Sequence, residues 1–302
     1  INTIIDEHHV DIVHAHSLYY GFVSAGVRKD IPVVFTPMGS DIIIYAQEHH
    51  VYRYMAHKAF SRADVVTGDS LLLRKQGYKV GAKTEHNYII QNGVDTEIVY
   101  PKDNDLKSRL GVNPDEMLIF SPRALMELYN IDVIIRSLAV LRDTGYKIKC
   151  MFSYAFGGEY LRKLKNIVKE LSLESTVIWL GYLEYHEMAE HYNAADIVVS
   201  VPSSDSSPKS VYEAMFCKKP VIISDLEWSY ELLSDCECLF RVKTNDSAAL
   251  ANGIKYLIDN KSVRDRIASN AYNLAHKYFD YSTNMQQMEE IMIAAISRKK
   301  RN

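Results

Sequence analysis

Apolar residues along this chain fall into short β-rich runs, each followed by a turn and a longer amphipathic stretch. That alternation predicts parallel strands covered by helices. In the first part the strand-like runs are residues 11–14, 33–36, 65–68 and 88–91, with a helical pattern at 49–61. A second series begins near Met117, with runs at 117–121, 147–153, 177–180, 197–201 and 220–224. Its helical patterns lie at 131–143, 159–171, 185–194 and 209–216. Residues 95–113, with Pro101, several charges and little periodicity, read as the connection between two lobes. Near the end, Met285, Met288, Ile291, Met292 and Ala295 share one helical stripe, which predicts a buried face. The expected division is a first lobe over 1–98, a second over 99–280, and a terminal helix over 281–302 that returns to the first lobe.

Two features suggest that the first lobe is incomplete. Its four strands are few for a doubly wound sheet, and the chain opens on Ile1 rather than Met. The first β-turn-α of such a lobe often carries phosphate-cradling glycines, so their absence matters.

Composition narrows the function less than the pattern does. Hydrophobic residues are 47% and charged residues 24% of 302, ordinary for a globular protein, and a net charge of −3 gives no reason to expect nucleic acid as a partner. Cys150, Cys217, Cys236 and Cys238 form no C-x-x-C pair and read as reduced, largely buried thiols in a cytoplasmic protein. No apolar run approaches the roughly 20 residues that span a bilayer. The basic run Arg298, Lys299, Lys300 and Arg301 reads as a solvated tail, with contact to anionic lipid and peripheral membrane association as the alternative. No metal site is expected. His14 and His16 lack a third ligand at metal spacing, and Asp103-Asn104-Asp105 sits between Lys102 and Lys107 in a surface turn.

The most informative segment runs from Val201 to Ile222. A strand ends there in a polar loop holding Asp205, and a helix begins near Lys209 with Glu213 one turn or more inside it. Ligands of parallel α/β sheets bind beyond the carboxyl ends of strands, where helix N-termini face anions. Ser206, Ser207 and Ser210 can supply hydroxyls or a cap, and Lys209 adds positive charge. A carboxylate accepts two hydroxyl hydrogen bonds at once, as a sugar or a ribose diol requires.

Asp205, seven residues, Glu213-Ala214-Met215 and then Pro220-Val221-Ile222 resemble the signature of glycosyltransferase family 4. His14-Ala15-His16 resembles that family's H-x-H, and Thr36-Pro37-Met38-Gly39-Ser40-Asp41 its T-x-H-G-x-D, with Met38 in place of the His. Asn92-Gly93-Val94-Asp95 and Trp179 to Leu183 also match family stretches. The resemblance implies an α/β GT-B fold: two Rossmann-like doubly wound lobes facing a cleft. It implies a retaining, metal-independent transfer of a sugar from a nucleoside-diphosphate sugar to a glycan or glycolipid hydroxyl, with no cofactor beyond that substrate. Surface polysaccharide or glycolipid assembly in the cytoplasm, at the inner face of the membrane, is the implied setting.

In the roles the resemblance implies, His16, Asp205 and Arg123 serve catalysis. Arg123, Lys209, Ser207, Ser210, Glu213, Tyr182 and Leu183 bind the donor, and Gly39, Asp41 and Asn92 line the cleft. The family places a Lys five or six residues after the Arg; here Leu128 and Tyr129 stand there, and Lys209 is expected to substitute in part. The glycines usual after the first acid are Ser206 and Ser207. These departures leave two alternatives open: a non-catalytic sugar-nucleotide-binding or scaffold paralogue, and a GT-B sugar-nucleotide epimerase.

Overall fold

The structure, a computed structural model, describes residues 1–83, 85–231 and 237–301. Two compact units divide the chain. The first holds residues 1–93, the short segment Asp205–Ser207 and the last helix from Tyr281; the second holds Val94–Ser204 and Pro208–Asp280.

The first unit contains a four-stranded sheet in the order β1-β2-β3-β4, with β1 Val13–His16, β2 Val33–Thr36, β3 Val65–Gly68 and β4 Asn87–Ile89. All three pairings are parallel. Every residue of β2 and β3 is buried, which is why their sequences are unbroken apolar runs rather than alternating ones. The helices are α1 Asn2–Glu7, α2 Ser17–Ser24, α3 Ala46–Glu48, α4 His50–Arg62 and α5 Leu71–Lys79. Helix α2 lies close to the sheet because Gly21 has no side chain: a Cβ there would stand 2.3 Å from the ring of Phe35. Helix α5 begins where the Ser70 hydroxyl accepts the Leu73 amide.

The second unit is built on a six-stranded sheet in the order β10-β9-β8-β5-β6-β7, also parallel throughout. Its strands are β5 Met117–Ser121, β6 Ile148–Ser153, β7 Val177–Gly181, β8 Ile197–Ser200, β9 Val221–Ser224 and β10 Phe240–Val242. Helices α6 Leu106–Arg109, α7 Ile131–Asp143, α8 Gly158–Glu170, α9 Tyr185–Ala194, α10 Lys209–Phe216, α11 Ser247–Asp259 and α12 Lys261–Tyr278 surround it. One large core joins Ile119, Ile135, Phe152, Val199 and Ile254, all fully buried. Val94 opens this unit by donating its amide to Phe279 O at 2.8 Å.

The terminal helix α13, Tyr281–Arg301, packs Ala295 against Val34 and Val65 of the first unit. Its expected apolar stripe is only partly buried, with Met285, Met288, Ile291 and Met292 half-covered. Lys299 pairs with Asp64 at 2.8 Å and Lys300 with Asp11 at 3.5 Å, so two charges of the basic run are engaged within the unit. Cys150 and Cys217 are free and buried. Cys238 is in a disulfide, which corrects the expectation of reduced thiols throughout; Cys236 lies outside the described residues. Among the described residues no helix is long and apolar enough to cross a membrane.

Candidate active site

In the second unit, side chains converge on the start of α10. That helix has Pro208 at its N-cap and no side-chain cap, so the serines expected to cap it do not; proline offers no side-chain acceptor. Its first turn therefore presents backbone dipoles without local compensation, an arrangement suited to an anion. Arg123, in the loop after β5, reaches Ser210 Oγ with Nη1 at 3.4 Å. Its guanidinium lies 4.1 Å from the centre of the Tyr129 ring. Tyr129 is one of the two positions where the resembled family carries a second cation. Here the residue stacks on the first cation and fixes its plane, a contact worth about 0.5–2 kcal/mol.

Lys209 Nζ stands 4.6 Å over the Tyr185 ring. Glu213 is buried on the inner face of α10, and its Oε2 accepts the Tyr192 hydroxyl at 2.8 Å. Burial pushes the Glu213 carboxyl upward, while the Tyr192 bond and the Lys209 charge pull it back. Tyr192 is itself fully buried, edge-on to Phe120 at 5.2 Å, and burial with the neighbouring Glu213 raises its phenol well above the ordinary range. Tyr182 and Leu183 follow β7 in a loop opened by Gly181 at φ +77. The Tyr182 ring is exposed, and its hydroxyl reaches Glu184 at 3.4 Å.

A second group gathers in the first unit, at the carboxyl ends of β1 to β4. His14 and His16 share one face of β1, with ring centroids 4.0 Å apart. The His14 ring nitrogen Nε2 bonds Thr36 Oγ1 at 2.8 Å, and Thr36 bonds Thr67 at 2.5 Å, so His14 is held inside the sheet. Burial, reinforced by repulsion from His16, lowers its pKa to about 4. His16 is exposed, and Ser17 after it takes a left-handed φ of +64 to start α2 at once. A non-glycine residue in that region costs on the order of 1 kcal/mol, and such strain often marks a functional turn.

Asp41 is a scaffold carboxylate rather than an open ligand. Its Oδ2 accepts the Leu18 amide at 2.8 Å, and both oxygens accept the Met38 amide, tying the loop after β2 to the start of α2. Burial outweighs those bonds and raises its pKa. Gly39, at φ +100, lets this loop approach Ser206, whose Oγ would be 3.1 Å from any Cβ placed there. Asn92 lies exposed just after β4.

The segment Asp205–Ser207 packs into the same group. Ser206 Oγ donates to Asp69 Oδ2 at 3.4 Å, and Ser207 Oγ donates to Gln91 Oε1 at 2.5 Å. The amide of Gln91 in turn donates to the backbone oxygen of Asp69. Asp69 Oδ1 is buried without a hydrogen-bond partner. Burial first, with repulsion from Asp205 adding to it, pushes the Asp69 carboxyl up to about 6. Sequence reasoning missed Asp69, Gln91 and Tyr192. The one signal for Asp69 was its place between the end of a strand and the capping Ser70. Gln91 and Tyr192 gave none, because their importance arises from contacts made far along the chain.

Two parallel-sheet α/β units, each gathering polar groups at the carboxyl edge of its strands, define the GT-B class. The chain belongs to the family of glycosyl transferases group 1, whose model matches residues 102–274. Residues 1–98 match the model of Glycosyltransferase Family 4, so the expected fold class and family are both borne out. The alpha-monoglucosyldiacylglycerol synthase of Streptococcus pneumoniae is 25% identical over 250 residues, 77% of this chain and 56% of that protein. The chain thus spans little more than half the length of that relative. The crystal structure of Anabaena Alr3699/HepE in complex with UDP and glucose matches with a TM-score of 0.85 at 24% identity, over 97% of this chain and 80% of that one. Sucrose-phosphate synthase from Thermosynechococcus elongatus matches with a TM-score of 0.87 at 17% identity, over 98% and 76%. At those identities the likeness establishes the fold.

Proposed function

We propose that the protein is a retaining glycosyltransferase that moves a sugar from a nucleoside-diphosphate sugar to a hydroxyl of a glycan or glycolipid acceptor. In this reading the second unit binds the donor and the first binds the acceptor. The observation that carries it is the stacked, oriented Arg123 beside the uncapped start of α10, with the buried Glu213 one turn further along. A guanidinium grips two phosphate oxygens at once, and the helix N-terminus adds about 0.5–2 kcal/mol toward a bound anion. Both act most strongly on the diphosphate as it departs, which lowers the barrier of the transfer itself. Lys209 adds a second positive charge, so this chain's own residues supply the neutralisation. Glu213 holds a ribose diol, its geometry fixed by Tyr192. Asp205 and His16 orient the sugar and the acceptor. Two similar proteins, an alpha-monoglucosyldiacylglycerol synthase and one crystallised in complex with UDP and glucose, fit that substrate class. Work on a lipid-borne acceptor places the protein at the cytoplasmic face of a membrane.

The test is a thermal-shift panel of nucleoside diphosphates and their sugar conjugates, followed by Arg123→Ala. The expected result is a raised melting temperature with one base, and a loss of affinity on the order of tenfold to a hundredfold in the variant. Equal affinity of Arg123→Ala and the parent would remove the diphosphate from this site.

A further inference from the structure

One surface of the first unit takes no part in either group of site residues. Every residue from Glu48 to Tyr54 is exposed, so the corner between α3 and α4 stands clear of the body. Val51, Tyr52 and Tyr54 on it are 69%, 43% and 57% exposed, and on the adjacent α2 Tyr19 and Tyr20 are 63% and 62% exposed. The rings are gathered rather than scattered. Tyr52 lies 5.5 Å from Tyr45 and 5.9 Å from His49, and Phe22 of α2 meets Tyr54 at 6.2 Å. Single exposed apolar residues need no explanation, whereas a contiguous aromatic patch marks a contact surface.

The charges beside the patch select its partner. Helix α2 carries none, and residues 49–62 contain Arg53, Lys58 and Arg62 but no acid, leaving Glu48 at the margin. Lys58 Nζ sits 5.5 Å from the Tyr54 ring. Arg53 stays exposed while donating to Ala46 O at 3.2 Å and to Gln47 O, which braces the corner. Surfaces that read a sugar combine ring faces with carboxylates and amides that take its hydroxyls. This patch offers cations in their place. Tyrosines whose rings seek the acyl boundary and whose hydroxyls seek water, flanked by Lys and Arg, match the headgroup region of an anionic bilayer. The basic run at the chain's end is the weaker candidate, since Lys299 and Lys300 are already paired with Asp64 and Asp11.

We propose that α2 and the protruding start of α4 dock on an anionic lipid surface, with Val51, Tyr52 and Tyr54 entering the headgroup layer and Lys58 and Arg53 meeting lipid phosphates. The inference rests on the glycosyltransferase reading and deepens it by naming the acceptor's location. Helix α2 starts immediately after His16, so docking brings the end of β1 toward a lipid-borne hydroxyl.

The experiment is co-sedimentation of the chain with vesicles of phosphatidylcholine alone or mixed with phosphatidylglycerol, at low and high salt. The expected result is binding that requires the anionic lipid, weakens with salt, and falls roughly tenfold or more in a Val51→Ser, Tyr52→Ser, Tyr54→Ser variant. All three positions are exposed, and circular dichroism with thermal melting checks that the variant folds. A Lys300→Ser, Arg301→Ser variant is expected to bind like the parent. Two outcomes overturn the proposal: no sedimentation with anionic vesicles, or loss of binding in the tail variant but not the aromatic one. Nucleoside-diphosphate affinity is measured alongside: a parent that binds vesicles but no nucleotide sinks the transferase reading alone, and the reverse sinks only the docking surface.

Discussion

Glu213 in the second unit and Asp69 in the first are both buried carboxyl groups raised by that burial, and the charges beside them act in opposite directions. Glu213 has a phenol donating to it at 2.8 Å and the Lys209 charge lowering its pKa. Asp69 has the hydroxyls of Ser70 and Ser206, the latter at 3.4 Å, one oxygen with no hydrogen-bond partner, and the carboxylate of Asp205 as its charged neighbour. Burial therefore raises both carboxyls, but at Glu213 a phenol donor and a cation offset part of the rise. At Asp69 a like charge adds to it, and the group gains a proton near neutrality. Burial alone does not decide what an acid does; the sign of its nearest charge and the number of donors it keeps do.

The largest expected effect breaks this comparison at Asp69. Its folded pKa of about 6 lies above the reference value of 3.8. A carboxyl raised on folding contributes full stability below the unfolded value and loses it as pH climbs through the folded one. Each pH unit between the two is worth about 1.4 kcal/mol, so the cost at pH 7.5 is about 3 kcal/mol. Asp69→Asn is expected to melt higher than the parent at pH 7.5, with the difference vanishing near pH 4. Urea unfolding at both pH values measures it. A pH-independent difference would mean that Asp69 carries no such penalty.

The next effect sharpens the comparison from the other side. Tyr192→Phe keeps the ring edge-on to Phe120 but removes the donor from Glu213, making that carboxylate resemble Asp69. The expected cost is about 1.5–3 kcal/mol at neutral pH, smaller when Glu213 is protonated. Donor affinity should fall with it, because the carboxylate loses its fixed orientation. A variant as stable as the parent at pH 8, with unchanged nucleotide affinity, would show that Lys209 alone suffices.

How much of this was legible before folding follows from the same physics. Strands β2, β3 and β5 fell where the unbroken apolar runs put them, since strands buried on both faces need no alternation. β1 runs Val13–His16, two residues beyond the run at 11–14, because its polar end is set by pairing with β2. The three-residue edge strand β10 was too short to register, and α2 was missed because SLYYGFVS shows no polar periodicity. Helices α11 and α12 went unplaced although Asp246 accepts the Ala249 amide, a cap the sequence does display. At the site, Arg123, Asp205, Lys209 and Glu213 stood out because they belong to one local motif or end one strand. Asp69, Gln91 and Tyr192 did not, since each owes its role to a residue at least 21 positions away.

The smallest effect concerns how the Asp205–Ser207 segment is seated. Ser206 and Ser207 stand where glycines are usual, and each finds a partner in this chain, Asp69 and Gln91. Gly39 completes the seat by leaving room: its φ of +100 disfavours any side chain, and an added Cβ would come within 3.1 Å of Ser206 Oγ. Gly39→Ala is therefore expected to cost about 1–2 kcal/mol, from left-handed strain and from a hydroxyl pushed a few tenths of an ångström. Combining it with Ser206→Gly separates the two. The pair removes the close contact but not the strain, so part of the loss should return in thermal melts. Full recovery would assign the cost to the contact, and no recovery would assign it to the backbone of the 37–41 loop.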